Sequence, residues 1–215
     1  AANRSKVFCC LCFILSRESF AEIILELLDA KLSVIDPWKR EGYQRDKLSK
    51  EIEDANPDDI IIVSDVDEIP NLAKIDFEKI DNYVYAFSLF HSMYKLNLMR
   101  QVMWIGTKLC KKKILKSPQW LRSLKVHKKY SFLRIDKFFS KTYYSKFKII
   151  ENSGWHFGWL MRSDEIVKKI NSYSHTEHNT PLNNDKIFIE DCIKNEINFL
   201  DKNDVLFVNN DINKL

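Results

Sequence analysis

The feature that most constrains the fold of this chain is an unbroken apolar run that ends in acidic residues. Residues 58–65 read DDIIIVSD, and acids continue at Asp67 and Glu68 before Pro70. A strand with one wet face alternates apolar and polar residues, whereas a strand covered on both faces is apolar throughout. The run therefore predicts a central, doubly buried strand at 59–64 of an α/β sheet.

Two of these acids, Asp65 and Asp67, are separated by one residue. Ligands of open α/β sheets bind beyond the carboxyl ends of strands, and in an extended chain alternate side chains point the same way. Two carboxylates about 4 Å apart repel by roughly 4 kcal/mol at an effective dielectric near 20. We therefore expect both to bind Mg²⁺ or Mn²⁺ that also contacts substrate phosphates. The alternative is a solvated turn without a ligand.

The rest of the chain predicts alternating helices and strands. Apolar spacing predicts helices at 18–31 and 163–173. Asp36-Pro37 predicts the start of a helix at 37–55 that Asn56-Pro57 ends, and residues 185–199 are a further helix candidate. Aromatic and β-branched content predicts strands at 7–15, 82–90, 101–109 and 204–208. Because no repeat, linker or low-complexity tract divides the chain, we predict one mixed α/β domain over residues 1–215.

Composition excludes several classes of protein. A net charge of +4 is too small to indicate nucleic-acid binding. The five cysteines are odd in number and three of them lie together at 9, 10 and 12, and we expect unpaired or buried thiols. Residues 108–129 are rich in Lys and Arg and lack acids, which predicts a solvated face or, alternatively, a peripheral contact with an anionic membrane.

Several motifs occur in an order that resembles a known family. They are WKREGYQRD at 38–46, PDDIIIVSDVDEIPN at 57–71, WIGTKL at 104–109, NSGWHFGWL at 152–160 and SYSHTEHN at 172–179. Together they resemble glycosyltransferase family 17, the family of β-1,4-mannosyl-glycoprotein β-1,4-N-acetylglucosaminyltransferase, most closely over residues 36–180. The resemblance implies a GT-A-like (Rossmann-like) mixed sheet flanked by helices. It also implies inverting, metal-dependent transfer of N-acetylglucosamine from UDP-GlcNAc to a glycan acceptor such as an N-glycan.

The resemblance also implies a metal ligand late in the chain. His156, in GWHFG, is similar to the late histidine that gives GT-A enzymes a third ligand, here beside Asp65 and Asp67. Imidazole completes a mixed oxygen and nitrogen site that suits Mn²⁺. The second ring nitrogen should then donate to Asn152 or to a backbone carbonyl. The alternative is a core histidine, in which case His175 is the next candidate.

Other residues are candidates for catalysis and donor binding. Direct inversion requires one carboxylate base, for which Glu177 and Asp185 are candidates and Glu190 and Asp191 are competitors. The donor diphosphate can be bound through the metal at Asp65 or by an arginine of the helix before that strand, which carries Arg40, Arg45 and Asp46. Trp155 and Trp159 can stack on a sugar or belong to the core. The alternative for the base candidates is that they are surface acids, and the alternative for the arginine is a structural salt bridge.

Other functions are open because the resemblance does not cover the whole family domain. Family members carry a further strand before their ANRT-type segment, which ANRS at 2–5 resembles, so we expect an N-terminally truncated copy. One alternative is an inactive or weak remnant that binds nucleotide or sugar. Another is a phosphatase of the haloacid dehalogenase type, although Ile69 departs from its motif.

The apolar run at 7–15 is too short to span a bilayer. We expect a cytoplasmic or membrane-peripheral protein, or a Golgi protein if the chain is eukaryotic and an anchor precedes Ala1.

Overall fold

The computed structural model of the chain describes residues 7–11, 42, 45–125, 146–172 and 175–209. The chain divides into two compact units. The first unit comprises Ala1–Val66, Leu72–Phe87 and Ile105–Glu151, and the second comprises Asp67–Asn71, Ser88–Trp104 and Asn152–Leu215. The predicted helix at 18–31 lies outside the described residues.

The described residues form a mixed α/β structure with more strand than helix. The strands are β1 (Val7–Leu11), β2 (Ile60–Ser64), β3 (Glu68–Pro70), β4 (Val84–Met93), β5 (Leu98–Met99), β6 (Trp104–Lys111), β7 (Phe147–Ile150), β8 (Gly154–Trp159) and β9 (Phe207–Val208). The α-helices with defined bounds are α1 (Pro118–Ser123), α2 (Ser163–Ser172) and α3 (Lys186–Lys194). None of the described helices is long and apolar enough to cross a membrane.

In the first unit, β2 is the central strand that the apolar run predicts. It pairs in parallel with β1 and antiparallel with β6, and all five of its residues are buried. The residues of β4 at 84–87 pair in parallel with β7. A hydrophobic cluster packs in this unit; its buried members are Leu48, Ile52, Ile61, Val63, Val84, Cys110, Leu121 and Leu124. Burial on both faces confirms the prediction made from the sequence.

The helices of the first unit differ from the prediction. Residues 45–47 are helical, but the chain then tightens into a 3₁₀ turn at Lys50–Ile52, so the predicted helix does not continue regularly to residue 55. Helix α1 falls in the basic stretch and was not predicted. It begins after Ser117, whose side chain accepts a hydrogen bond from Trp120 N, and Pro118 occupies its first turn.

In the second unit, β8 joins two neighbours. It pairs antiparallel with β3, where Glu68 lies opposite His156, and in parallel with the later part of β4, where His91 lies opposite His156. Directly paired residues project from the same face of a sheet. The register therefore places the side chains of Glu68, His156 and His91 in one row.

Helices α2 and α3 belong to the core of the second unit. Their buried residues Ile166, Ile170, Ile189 and Cys192 join a cluster with Met93, Tyr94, Leu98, Trp159, Phe199 and Leu206. Helix α2 agrees with its prediction, whereas α3 ends at Lys194, earlier than predicted. Of the predicted strand at 204–208, Phe207–Val208 forms a strand that pairs with β5, and Val205 makes an isolated bridge to Ile197.

Candidate functional site

In the first unit, Asp65 follows β2 directly and is held by two arginines. Arg45 Nη2 lies 3.0 Å from Oδ1 of Asp65. From α1, Arg122 Nε donates to Oδ2 at 3.1 Å, and Arg122 Nη2 donates to the same oxygen. Arg45 also donates through Nη1 to Gln119 Oε1 at 3.1 Å. A guanidinium on each carboxylate oxygen fixes the orientation of Asp65.

These arginines also keep Asp65 ionised. Burial by itself would raise the pKa of Asp65, but the charges and hydrogen bonds of Arg122 and Arg45 hold it below its ordinary value. Repulsion between the two carboxylates therefore does not require a metal ion at Asp65, because Arg45 and Arg122 already balance its charge. Arg122 was assigned from the sequence to a solvated basic face, and that interpretation is wrong for this residue.

The acidic turn does not have the extended geometry that the sequence predicted. Strand β2 ends at Ser64, and residues 66 and 67 form a turn. In the second unit, the backbone oxygen of Asp67 accepts a hydrogen bond of 2.8 Å from Phe157 N of β8. This bond to a sequence-distant strand fixes Asp67 in the turn.

The Asp67 carboxylate lies beside two basic groups of the second unit. His156 Nε2 is 3.7 Å from Oδ1, and Lys169 Nζ of α2 is 3.5 Å from Oδ2. Burial alone would raise the pKa of Asp67, but its interactions with His156 and Lys169 lower it to about 2. Asp67 is therefore an ionised carboxylate at neutral pH, close to an imidazole nitrogen.

Aromatic and imidazole rings hold His156 in place. The rings of Trp104 and His156 stack with centroids 4.5 Å apart, and the His91 ring is 4.4 Å from His156. Trp104 Nε1 donates to Oε1 of the buried Glu68 at 2.7 Å. Burial, with the nearby His156 and Arg100, lowers the pKa of His91 to about 3, so His91 is neutral. The His91 and Trp104 rings also contact each other, with centroids 5.7 Å apart, so the three rings form one cluster.

Gly158 leaves room for this ring. A Cβ built on Gly158 would lie 2.8 Å from His156 Nε2 and 3.6 Å from Asp67 Oδ2. Such a close approach requires glycine at this position. The missing side chain lets the His156 ring approach the backbone at Gly158.

The second nitrogen of His156 differs from the prediction. Nδ1 is buried and has no hydrogen-bond partner within the described part of the chain, so the predicted donation to Asn152 or a backbone carbonyl is wrong there. His91 Nε2 is likewise buried without a partner among the described residues. Contacts with neighbouring rings, and not hydrogen bonds at His156 Nδ1 or His91 Nε2, therefore hold these two imidazoles.

The carboxylates proposed as the base have local partners. Glu177 Oε1 lies 2.7 Å from His175 Nδ1, and this interaction holds the pKa of Glu177 below its ordinary value. Asp185 accepts from Ile187 N as the N-cap of α3. Glu190 accepts from Ser163 Oγ, and Asp191 accepts from Asn195 Nδ2. None of these contacts assigns the base.

The other predicted donor-binding residues have mixed surroundings. Asp46 Oδ1 accepts from Gln119 N at 3.1 Å, and Arg40 lies outside the described residues. Trp155 is partly buried, and its Nε1 has no partner in the described ranges. Trp159 belongs to the hydrophobic core, so the core alternative holds for that residue.

Much of the basic stretch is engaged inside the first unit. Lys111 and Lys113 pair with Asp58, and Lys112 donates to Ile52 O. Lys108 is buried and donates to Arg122 O. Lys108 is buried, so the solvated-face interpretation is wrong for that residue, whereas the pairs of Lys111 and Lys113 with the exposed Asp58 agree with it. The membrane contact stays a prediction.

Two cysteines fall in the described ranges outside β1, and both are buried free thiols, as expected. Burial raises the pKa of Cys110 to about 12, which makes its thiol unreactive. No described cysteine side chain therefore competes as a nucleophile or metal ligand.

Comparison with known proteins gives the class of the chain. A family model described as glycosyltransferase family 17 matches residues 11–201. No curated protein and no solved structure gives a significant match. The chain carries a glycosyltransferase domain, and the protein is a glycosyltransferase enzyme. It belongs to glycosyltransferase family 17.

Proposed function

We propose that this glycosyltransferase moves N-acetylglucosamine from UDP-GlcNAc to a glycan acceptor with inversion, and that it depends on Mn²⁺ or Mg²⁺. The observation that carries the proposal is the pairing of Asp67 Oδ1 with His156 Nε2 at 3.7 Å in a chain of this family. The GT-A-like arrangement of the whole sheet stays a prediction.

The residues of the second unit fit a divalent metal. Two ligand bonds of about 2.1 Å can span up to about 4 Å, which includes the observed separation of the carboxylate and imidazole atoms. Gly158 allows the His156 ring its place beside Asp67, and Asp67 is ionised. Asp67 and His156 would hold the metal, which when bound neutralises charge on the diphosphate leaving group. Asp65 as a further ligand stays a prediction, since two arginines bind its carboxylate.

The chain's own residues have distinct tasks in this proposal. Lys169, an ammonium 3.5 Å from Asp67, can contact phosphate oxygens when the donor binds. Trp104 and His91 hold the His156 ring in orientation. Arg45 and Asp46 stay predicted donor-binding residues, as does Trp155 for the sugar. The base that takes the acceptor proton stays between Glu177 and Asp185.

The direct test measures UDP release from UDP-GlcNAc with Mn²⁺, with Mg²⁺ and with chelator. We expect release with either metal, an increase when a glycan acceptor is added, and loss with chelator. Binding of UDP without release of sugar would support the remnant alternative. Phosphate release from a phosphate monoester, without action on UDP-GlcNAc, would favour the phosphatase and contradict the proposal.

A further inference from the structure

A second group of metal-binding side chains lies on the turn after α2. His175, Glu177 and His178 each offer one ligand atom, and these atoms all lie within 4.8 Å of one another. His175 Nδ1 and Glu177 Oε1 are 2.7 Å apart, and the rings of His175 and His178 have centroids 5.7 Å apart, tilted by 30°. Two imidazoles and a carboxylate are therefore gathered at one place on the surface of the second unit.

The backbone explains why these side chains converge. Residues Thr176–His178 form a 3₁₀ turn, in which side chains three positions apart lie above one another. His175 and His178 have this spacing, and His178 N donates to His175 O at 3.0 Å. The sequence H-x-E-H thus places both rings on one side of the turn, with Glu177 between them in sequence.

The turn is braced from the segment that follows it. Asn183 Nδ2 donates to His178 O at 2.9 Å, and Asn184 Nδ2 donates to Asn179 Oδ1 at 2.6 Å. Asn184 Oδ1 in turn accepts from Asn171 Nδ2 of α2 at 2.9 Å. These hydrogen bonds join the turn to α2 and so restrict the backbone that carries the three side chains.

We propose that His175, Glu177 and His178 form a separate binding site for a transition-metal ion of the Zn²⁺, Ni²⁺ or Co²⁺ type. Two imidazoles and one carboxylate are typical of such ions, whereas Mg²⁺ prefers oxygen ligands. A three-residue set leaves an open coordination position. The His175 and Glu177 side chains are 43% and 55% exposed, so an ion can enter directly from solvent.

This site is distinct in composition from the Asp67 and His156 pair. It shares no residue with that pair, and it favours different ions. An ion held here would occupy the carboxylate of Glu177.

The test uses the full chain with the substitution His156→Asn, so that the Asp67 and His156 pair does not contribute. Calorimetric titration with Ni²⁺, in the absence of nucleotide, should show one ion per chain. His175→Asn and His178→Asn, singly, should each weaken binding about tenfold or more, as should Glu177→Gln. Visible absorption of bound Co²⁺ separates imidazole and carboxylate ligands from thiolates.

The chain offers a matched control at His127, whose substitution His127→Asn removes a histidine from another part of the sequence. It should leave Ni²⁺ affinity unchanged. Thermal unfolding of each variant checks that the substitutions leave the fold intact. Absence of Ni²⁺ binding at millimolar concentration overturns the proposal, as does binding that survives loss of both His175 and His178, or a thiolate-type Co²⁺ spectrum. Because no donor is present, none of these outcomes bears on the proposed transfer reaction.

Discussion

His156 Nε2 lies 3.7 Å from Asp67 Oδ1, although the two residues come from distant parts of the chain. The carbonyl of Asp67 is bound by Phe157 N, the residue after His156, so the backbone holds the two side chains together independently of any ion. A preorganised pair of this kind loses little conformational entropy on binding a metal.

Replacing Asp67 with Asn should weaken metal-dependent UDP binding, because it removes a charge beside His156. Calorimetric titration of UDP with Mn²⁺ should show a loss of about tenfold or more. The matched control is Asp81→Asn, which removes an exposed carboxylate paired with Lys148 and should leave UDP affinity unchanged. Equal affinity in the Asp67 variant and the wild type would refute the assignment.

Gly158→Ala should displace the His156 ring. The new Cβ would lie 2.8 Å from Nε2, and the ring cannot move freely because Trp104 and His91 pack against it. We expect a loss of about 1–3 kcal/mol in the free energy of unfolding, measured in urea, and weaker Mn²⁺-dependent UDP binding. Gly42→Ala is the control, since its nearest atom is 3.5 Å away in the Gln119 side chain. Similar effects of the two substitutions would contradict the close approach at Gly158.

His91→Asn should act on metal binding through His156. His91 is buried and packs its ring 4.4 Å from His156, so its loss lets that ring rotate. Removal of such a supporting group typically lowers metal affinity by about 10–100-fold. Titration of UDP affinity against Mn²⁺ concentration should show a higher metal requirement, with near-normal UDP affinity at saturating Mn²⁺. A change in UDP affinity that Mn²⁺ does not restore would show that His91 acts otherwise.

Two substitutions at Asp185 distinguish its role as a helix N-cap from a role as the catalytic base. Its side chain accepts from Ile187 N at the start of α3, and Asn is as good an N-cap as Asp. Asp185→Ala should cost about 1 kcal/mol of unfolding free energy, whereas Asp185→Asn should be nearly neutral. A kcat lowered about 10²–10⁴-fold in Asp185→Asn, at unchanged stability, identifies Asp185 as the base; the same loss in Glu177→Gln identifies Glu177.

The arginines around Asp65 predict an acid dependence of stability. The folded-state pKa of Asp65 is lowered below its ordinary 3.8, although burial opposes this. Its contribution is therefore complete at pH values above about 4 and is lost as the pH falls through the lowered pKa. Arg122→Met should reduce the free energy of unfolding at pH 7 by about 1–3 kcal/mol and weaken this acid dependence. Arg162→Met, at an exposed pair, is the control and should change neither.

Some features of this protein follow from the sequence alone. The apolar run at Ile60 to Val63 determined a central strand, because only a strand covered on both faces can bury every residue. The spacing of Ile166 and Ile170 determined helix α2 in the same way. The ordered motifs indicated the family and His156. Each of these signals lies within one segment or in the order of several segments, and it can be recognised without knowing the tertiary contacts.

Only the tertiary structure decided which side chains meet. The contacts of His156 with His91 and Trp104 depend on the pairing of β8 with β4 and on packing between residues far apart in sequence. Lys169 reaches Asp67 because α2 packs in the same unit, and Arg122 reaches Asp65 from a helix that the basic stretch concealed. The extended geometry expected for the acidic turn failed because Phe157 N binds the backbone of Asp67. Strand register and helix packing depend on the free energy of the whole chain. No single segment therefore shows them as a periodic pattern of residues.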